Sequence, residues 1–135
     1  VTTETARVET IRIRIRMADR ISENDRLHWR VKARRTKTIR LIGHLTARGR
    51  APMQRAELVA RIGWPDRRDR DAHNLMPTLK AAIDGIVKDA GLLPDDNDRY
   101  LTGPDLRPYL LGERGWLTID LIFTEVSADD GSVTP

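Results

Sequence analysis

Hydrophobic and polar residues alternate strictly from Val8 to Met17. Glu9, Ile11, Ile13, Ile15 and Met17 fall on one side, and Val8, Thr10, Arg12, Arg14 and Arg16 on the other. A period of two predicts a strand with one buried and one basic face. The arginine side blunts a sheet edge and could also face phosphate. Ser22-Glu23-Asn24-Asp25 supplies cap and turn residues before a helical stretch. There Leu27, Val31, Thr38, Ile42 and Leu45 form an apolar stripe at helical spacing. Arg34 and Arg35 interrupt it and favour a regular start nearer Thr36. Under either start, Arg40, His44 and Arg48 share one exposed face. A second strand is expected over 55–64, with Ala56, Leu58, Ala60, Ile62 and Trp64 inward, ending at Pro65. An amphipathic helix is expected from Asn74 to Ala90. Asn74 is its natural N-cap, Pro77 lies in the first turn and Gly91 marks the stop. Arg99–Thr102 and Trp116–Thr124 complete the set as two more strands. The pattern predicts one α+β domain over 1–126, with a mixed or antiparallel sheet of about four strands and two main helices. An acidic tail follows over 127–135, with the composition of a disordered segment.

Composition narrows the function classes. A chain of 135 residues fits one domain. The absence of cysteine removes disulfide scaffolds, cysteine zinc sites and thiol nucleophiles, and fits a reducing, cytoplasmic-type compartment. No apolar run approaches the ~18 residues of a membrane helix, and no leader marks a signal peptide.

Charge is distributed unevenly. Residues 1–70 hold 19 Lys and Arg against 8 Asp and Glu, whereas residues 71–135 hold 5 against 12. Such asymmetry suggests that one part meets a polyanion. Seven cations and no acid lie between Arg26 and Arg40, Lys37 among them, with His28 and Trp29 in the same stretch. Cations beside an aromatic ring suit a DNA contact. The competing reading is a solvated face with Trp29 in the core.

Candidate chemistry gathers in two acidic segments. One is Asp66-Arg67-Arg68-Asp69-Arg70-Asp71-Ala72-His73-Asn74, before the second helix; the other is Asp95-Asp96-Asn97-Asp98, after it. Asp69, Asp71 and His73 have period-two spacing, which aims all three one way on an extended backbone. Carboxylates that hold a hard divalent ion, flanked by arginines and a lysine, are what phosphodiester hydrolysis requires. The bland alternative is a turn with surface ion pairs. An EF-hand, a P-loop, a zinc pair, an HNH nuclease and a serine triad all lack their residues.

The run from Pro65 to Asp98 resembles the RusA family of Holliday junction resolvases. The resemblance is carried by Arg67-Arg68-Asp69-Arg70-Asp71-Ala72-His73-Asn74-Leu75, by Lys80-Ala81-Ala82-Ile83-Asp84-Gly85, and by Ala90-Gly91-Leu92-Leu93-Pro94-Asp95-Asp96. It implies a small homodimeric endonuclease that cuts branched DNA, such as a four-way junction, with Mg²⁺ (or Mn²⁺). It further implies metal-binding carboxylates at Asp71 and Asp96, an essential Lys80, and DNA contacts from Arg70 and Asn74. Asp95 and His73 would support the metal, while Arg67, Arg68, Lys37 and Arg40 would grip the backbone. His73 stands where the family pattern has its second aspartate, so the acidic pair is either Asp71 with His73 or, in a shifted register, Asp69 with Asp71. Asn74 to Lys80 is also longer than the family's plain form, by Met76-Pro77-Thr78. Against the nuclease stands a non-catalytic branched-DNA or RNA-binding module in which His73 marks a lost metal site. A third reading is a structural partner in a nucleoprotein complex. The resemblance suggests a phage origin and a host cytoplasmic setting.

Overall fold

The computed structural model describes residues 6–108 and 112–127. Four strands, β1 (Val8–Arg16), β2 (Ala56–Gly63), β3 (Leu101–Pro108) and β4 (Trp116–Glu125), form one sheet in the order β1-β4-β2-β3. β4 is antiparallel to β1 and β2, whereas β2 and β3 run parallel. Parallel neighbours need a crossover connection. Here it consists of a 3₁₀ turn (Ala72–Leu75), α2 (Met76–Asp84) and one π-type turn (Gly85–Asp89). The other main helix, α1 (Trp29–Ala47), packs on α2 and that π turn. This is the expected α+β domain with a four-stranded mixed sheet and two helices.

The period-two patterns place the core. Ile11, Ile13 and Ile15 of β1, Leu58, Ala60 and Ile62 of β2, and Leu117, Ile119, Leu121 and Phe123 of β4 are buried with Leu79, Ala82, Ile83 and Ile86 from the crossover. Arg12, Arg14 and Arg16 stay exposed on the opposite face. Arg12 forks onto the buried Asp120 at 2.6 and 2.9 Å. Arg14 pairs with Glu113, and the guanidinium groups of Arg14 and Arg16 lie 4.4 and 5.0 Å from the Trp116 ring centre.

Four local expectations are corrected. α1 begins at Trp29, not near Thr36, because the His28 ring Nδ1 accepts the Arg30 N–H at 3.1 Å and caps the helix. Arg34 and Arg35 are tolerated because nothing in 29–38 is buried. Second, the buried stripe of α1 is Ile39, Gly43 and Ala47; Thr38 and Leu45 are exposed. Small residues make this contact because the backbones nearly touch. A Cβ on Gly43 would sit 2.4 Å from the Ala82 carbonyl oxygen, and one on Gly85 would sit 2.0 Å from that of Arg40. Third, the cap of the second helical segment is Asp71, whose Oδ1 accepts the His73 N–H at 3.0 Å; Asn74 lies within the 3₁₀ turn. Fourth, β3 starts at Leu101 and runs on to Pro108 through Gly103-Pro104. It is an edge strand, where a proline without an N–H is tolerated. The tail read as disordered lies, from residue 128 on, outside the described residues.

Candidate functional site

The crossover gives the acidic segments their positions. Lys80, Asp84 and Lys88 recur every four residues, so all three project from one side of it. Asp96 returns to that side from the loop after Gly91, where a positive φ of 77° ends the helix. The Lys80 ammonium donates to Asp96 Oδ2 and lies 3.1 Å from Asp84 Oδ1. Lys88 Nζ lies 3.7 Å from Asp96 Oδ1 and 4.0 Å from Asp84 Oδ1. Asp95 orders the turn, accepting the Asp96 N–H at 2.7 Å and an Asn97 amide N–H at 3.3 Å.

The electrostatics follow from these contacts. The hydrogen bond from Lys80 pulls the Asp96 carboxyl down to about 2, although its partial burial pushes the other way. Reciprocally, Asp96 raises the Lys80 ammonium above its ordinary value, with a smaller contribution from Asp84. Asp96 and Asp84 keep only 12% and 17% of their side chains exposed, so solvent screens the cluster incompletely. One Asp84 oxygen is buried with no well-aligned hydrogen bond, although both lysines lie within ion-pair distance of it.

The Arg-rich segment builds a second group. Arg70 forks onto Asp66 at 2.6 and 3.2 Å and lies 5.1 Å from the centre of the Trp64 ring. The Arg68 N–H also binds Asp66, and these contacts lower the Asp66 pKa, that from Arg70 most. Trp64, Asp69 and Arg70 divide two open clefts. Asp71 and Asn74 line one, of about 280 Å³, together with Arg20 and Ser22. His73, Arg68 and Arg107 line the other, of about 410 Å³.

The residues nominated from sequence therefore fall into two sets. Lys80, Asp95 and Asp96 meet, joined by Asp84 and Lys88. Asp71 and His73 open into different clefts, each beside Arg70. Arg67, Arg68 and Lys37 are exposed, and Arg40 makes a two-pronged ion pair with Asp89 at 2.6 and 2.8 Å. Among the described residues no group of three or more His, Asp or Glu side chains is arranged as a metal cage. Mg²⁺ does not need one: it binds through one or two carboxylates and keeps waters or substrate phosphates for its other positions. The Asp84 and Asp96 carboxylates share Lys80, and one Asp84 oxygen is buried without a hydrogen bond, so their oxygen donors fit such a hard cation.

The helical position of Asp84 suits ion pairs with Lys80 and Lys88, and both form; the pairing of Asp66 with Arg70 beside Trp64, and that of Asp120 with Arg12, had no signal in the sequence. Asp66 and Trp64 gained their roles only when the chain turned at Pro65. Comparison with protein-family models and with curated proteins finds no match. Among the described residues no helix is long and apolar enough to cross a membrane.

Proposed function

We propose that this protein is a structure-selective DNA endonuclease of the RusA type, a homodimer that resolves four-way junctions and other branched DNA by paired nicks. The observation that carries the reading is the contact between Lys80 and Asp96. It unites a helical lysine with a carboxylate 16 residues away, and these are two of the residues the family pattern makes essential.

Phosphodiester cleavage gathers negative charge on phosphorus and on the leaving oxygen. Lys80 is protonated at neutral pH as any exposed lysine is, and Asp96 raises its pKa further, so it is a fixed cation for that charge. Asp96 stays ionised far below neutrality. Asp96 and Asp84, which share Lys80, would hold Mg²⁺ or Mn²⁺ with water or substrate phosphate in the other positions, and the bound ion would supply Lewis-acid activation of water and phosphate. Asp71 and His73 line the clefts beside Arg70 and would act there on the DNA. The exposed Arg67 and Arg68, with Arg70 and Asn74 beside them, bind backbone phosphates and set the register of the DNA. A homodimer presents two such sites to the opposed strands of a two-fold branched substrate. The reading implies a host cytoplasmic setting if the protein is phage-encoded.

The second reading, a branched-DNA or RNA-binding module without catalysis, is favoured by the separation of Asp71 and His73 into different clefts. Incubation with a synthetic four-way junction and Mg²⁺ or Mn²⁺ separates the two. Symmetric nicks that disappear in Asp96→Asn and Asp71→Asn support the nuclease. Tight binding with intact strands under both metals replaces it with the binding module.

A further inference from the structure

The first ten residues of α1 contribute nothing to the core. Seven of residues 29–38 are exposed, three are half-buried and none is buried. Trp29, the first helical residue, keeps 68% of its surface exposed. Its ring stacks on His28, with centroids 5.7 Å apart and planes 27° apart, and the Arg30 guanidinium lies 5.2 Å from its centre. Arg30, Arg34 and Lys37, at i, i+4 and i+7, share one face along ~10 Å of helix. Among the described residues none of the three forms an ion pair, and no acid occurs in the chain between Asp25 and Glu57.

These features call for an explanation that packing does not give. Like charges at i, i+4 destabilise a helix, and with only Val31, Arg35 and Thr36 half-buried the stretch puts no side chain into the core to offset them. Half-buried Arg35 moors the helix start by donating to the Arg20 carbonyl at 3.1 Å. The cost is tolerated if the arm meets a partner of opposite charge. A second protein surface would call for apolar area along the arm; exposed Leu41 and Leu45 lie beyond it on the C-terminal half of α1, while the arm itself offers one large aromatic ring among cations. A polyanion with a flat π-face meets both demands, since phosphates pair with the cations and a base stacks on the indole.

We infer that the N-terminal half of α1 is a nucleic-acid arm, in which Arg30, Arg34 and Lys37 track a phosphate backbone and Trp29 stacks on an unpaired base. The arm therefore selects discontinuities in a duplex (a gap, a fork or a junction centre) over intact helix, because a fully stacked duplex exposes no base face. This deepens the nuclease reading and rests on its nucleic-acid half only: it needs binding, not cleavage.

The test measures affinity without divalent metal, so that cutting plays no part. The probes are a short duplex, the same duplex with a single-stranded gap, and a four-way junction. Trp29→Ala is expected to lose about tenfold on the gapped and junction probes and less than about twofold on the duplex, while Trp29→Phe retains most of the affinity. Changing Arg30, Arg34 and Lys37 together to Gln should weaken all three probes and flatten the log-affinity against log-salt slope by about 2 to 3. All four side chains are exposed, so the variants keep the core, and circular dichroism checks this. Equal affinity of Trp29→Ala and wild type for every probe overturns the inference. So does an equal loss on all probes, or a shift from dimer to monomer in sedimentation with DNA affinity unchanged. Failure of the wild-type protein to nick with metal sinks the nuclease alone; failure of the wild type to bind any probe sinks both.

Discussion

Lys80 and Asp96 form an ion pair that joins the second helix to the loop emerging from its far end. Because the pair lowers the Asp96 pKa to about 2, Asp96 binds its proton more readily in the unfolded chain than in the folded one. The stability it contributes is present above the ordinary carboxylate range, near 4, and is lost as pH falls toward 2. After solvent screening it amounts to about 1 kcal/mol. Urea denaturation across pH 2–5 should show a shallower acid decline for Asp96→Asn than for wild type. An unchanged slope would mean that the pair contributes nothing to folding.

The alkaline limb has the opposite sign. Lys80 holds its proton more tightly when folded, so its contribution is complete below the ordinary lysine value and disappears as pH rises through the raised one. Lys80→Met should therefore lose its stability difference from wild type as pH climbs above the ordinary lysine range, as read by thermal denaturation in alkaline buffer.

Cleavage and binding should separate at this cluster. In the nuclease reading, Lys80→Ala reduces junction cutting by about a hundredfold or more but changes junction affinity by less than about threefold, since one exposed cation contributes little to a polyelectrolyte contact. Single-turnover cutting alongside a mobility-shift titration reads both quantities.

Thr78 is buried, and its hydroxyl satisfies both backbone groups of Ile21, accepting the N–H and donating to the carbonyl, each at 2.8 Å. This clamp positions the Arg20–Ser22 wall of the Asp71 cleft. Thr78→Val keeps the shape but leaves two buried backbone groups unpaired, and it should cost about 1–3 kcal/mol. Thr78→Ser should cost less, and urea midpoints separate the two.

The close crossing of the helices should tolerate no added carbon. Gly85→Ala would drive a methyl group to 2.0 Å from the Arg40 carbonyl oxygen, so a loss of about 3 kcal/mol or more is expected. Gly49→Ala, where a Cβ meets nothing within 4 Å but φ is +84°, should cost only about 1–2 kcal/mol. Thermal denaturation of the two variants compares a packing cost with a backbone one.

The strands were legible because burial on one face imposes a period of two. The alternation at 8–16 and 56–63 therefore carried both position and facing. The first turns of α1 were harder to read: none of their side chains is fully buried, Arg34 and Arg35 break the apolar stripe, and a histidine ring nitrogen supplied the cap. The inner stripe of the same helix was hidden for a different reason. Gly43 and Ala47 carry almost no hydropathy signal, and only the nearness of the Ala82 backbone makes a glycine necessary. The acidic segments were visible as composition, but which of them meet was not.

Taken alone, the chain determined its strand faces, its amphipathic crossover helix, its uneven charge and its two acidic segments flanked by cations, because each of these follows from local spacing and chemistry. Tertiary structure alone decided the sheet order, the glycine-lined helix crossing, the joining of Asp96 to Lys80, and the division of Asp71 and His73 between two clefts. Those relationships join residues distant along the chain, and their energies depend on distance and burial in space, which a linear pattern does not record.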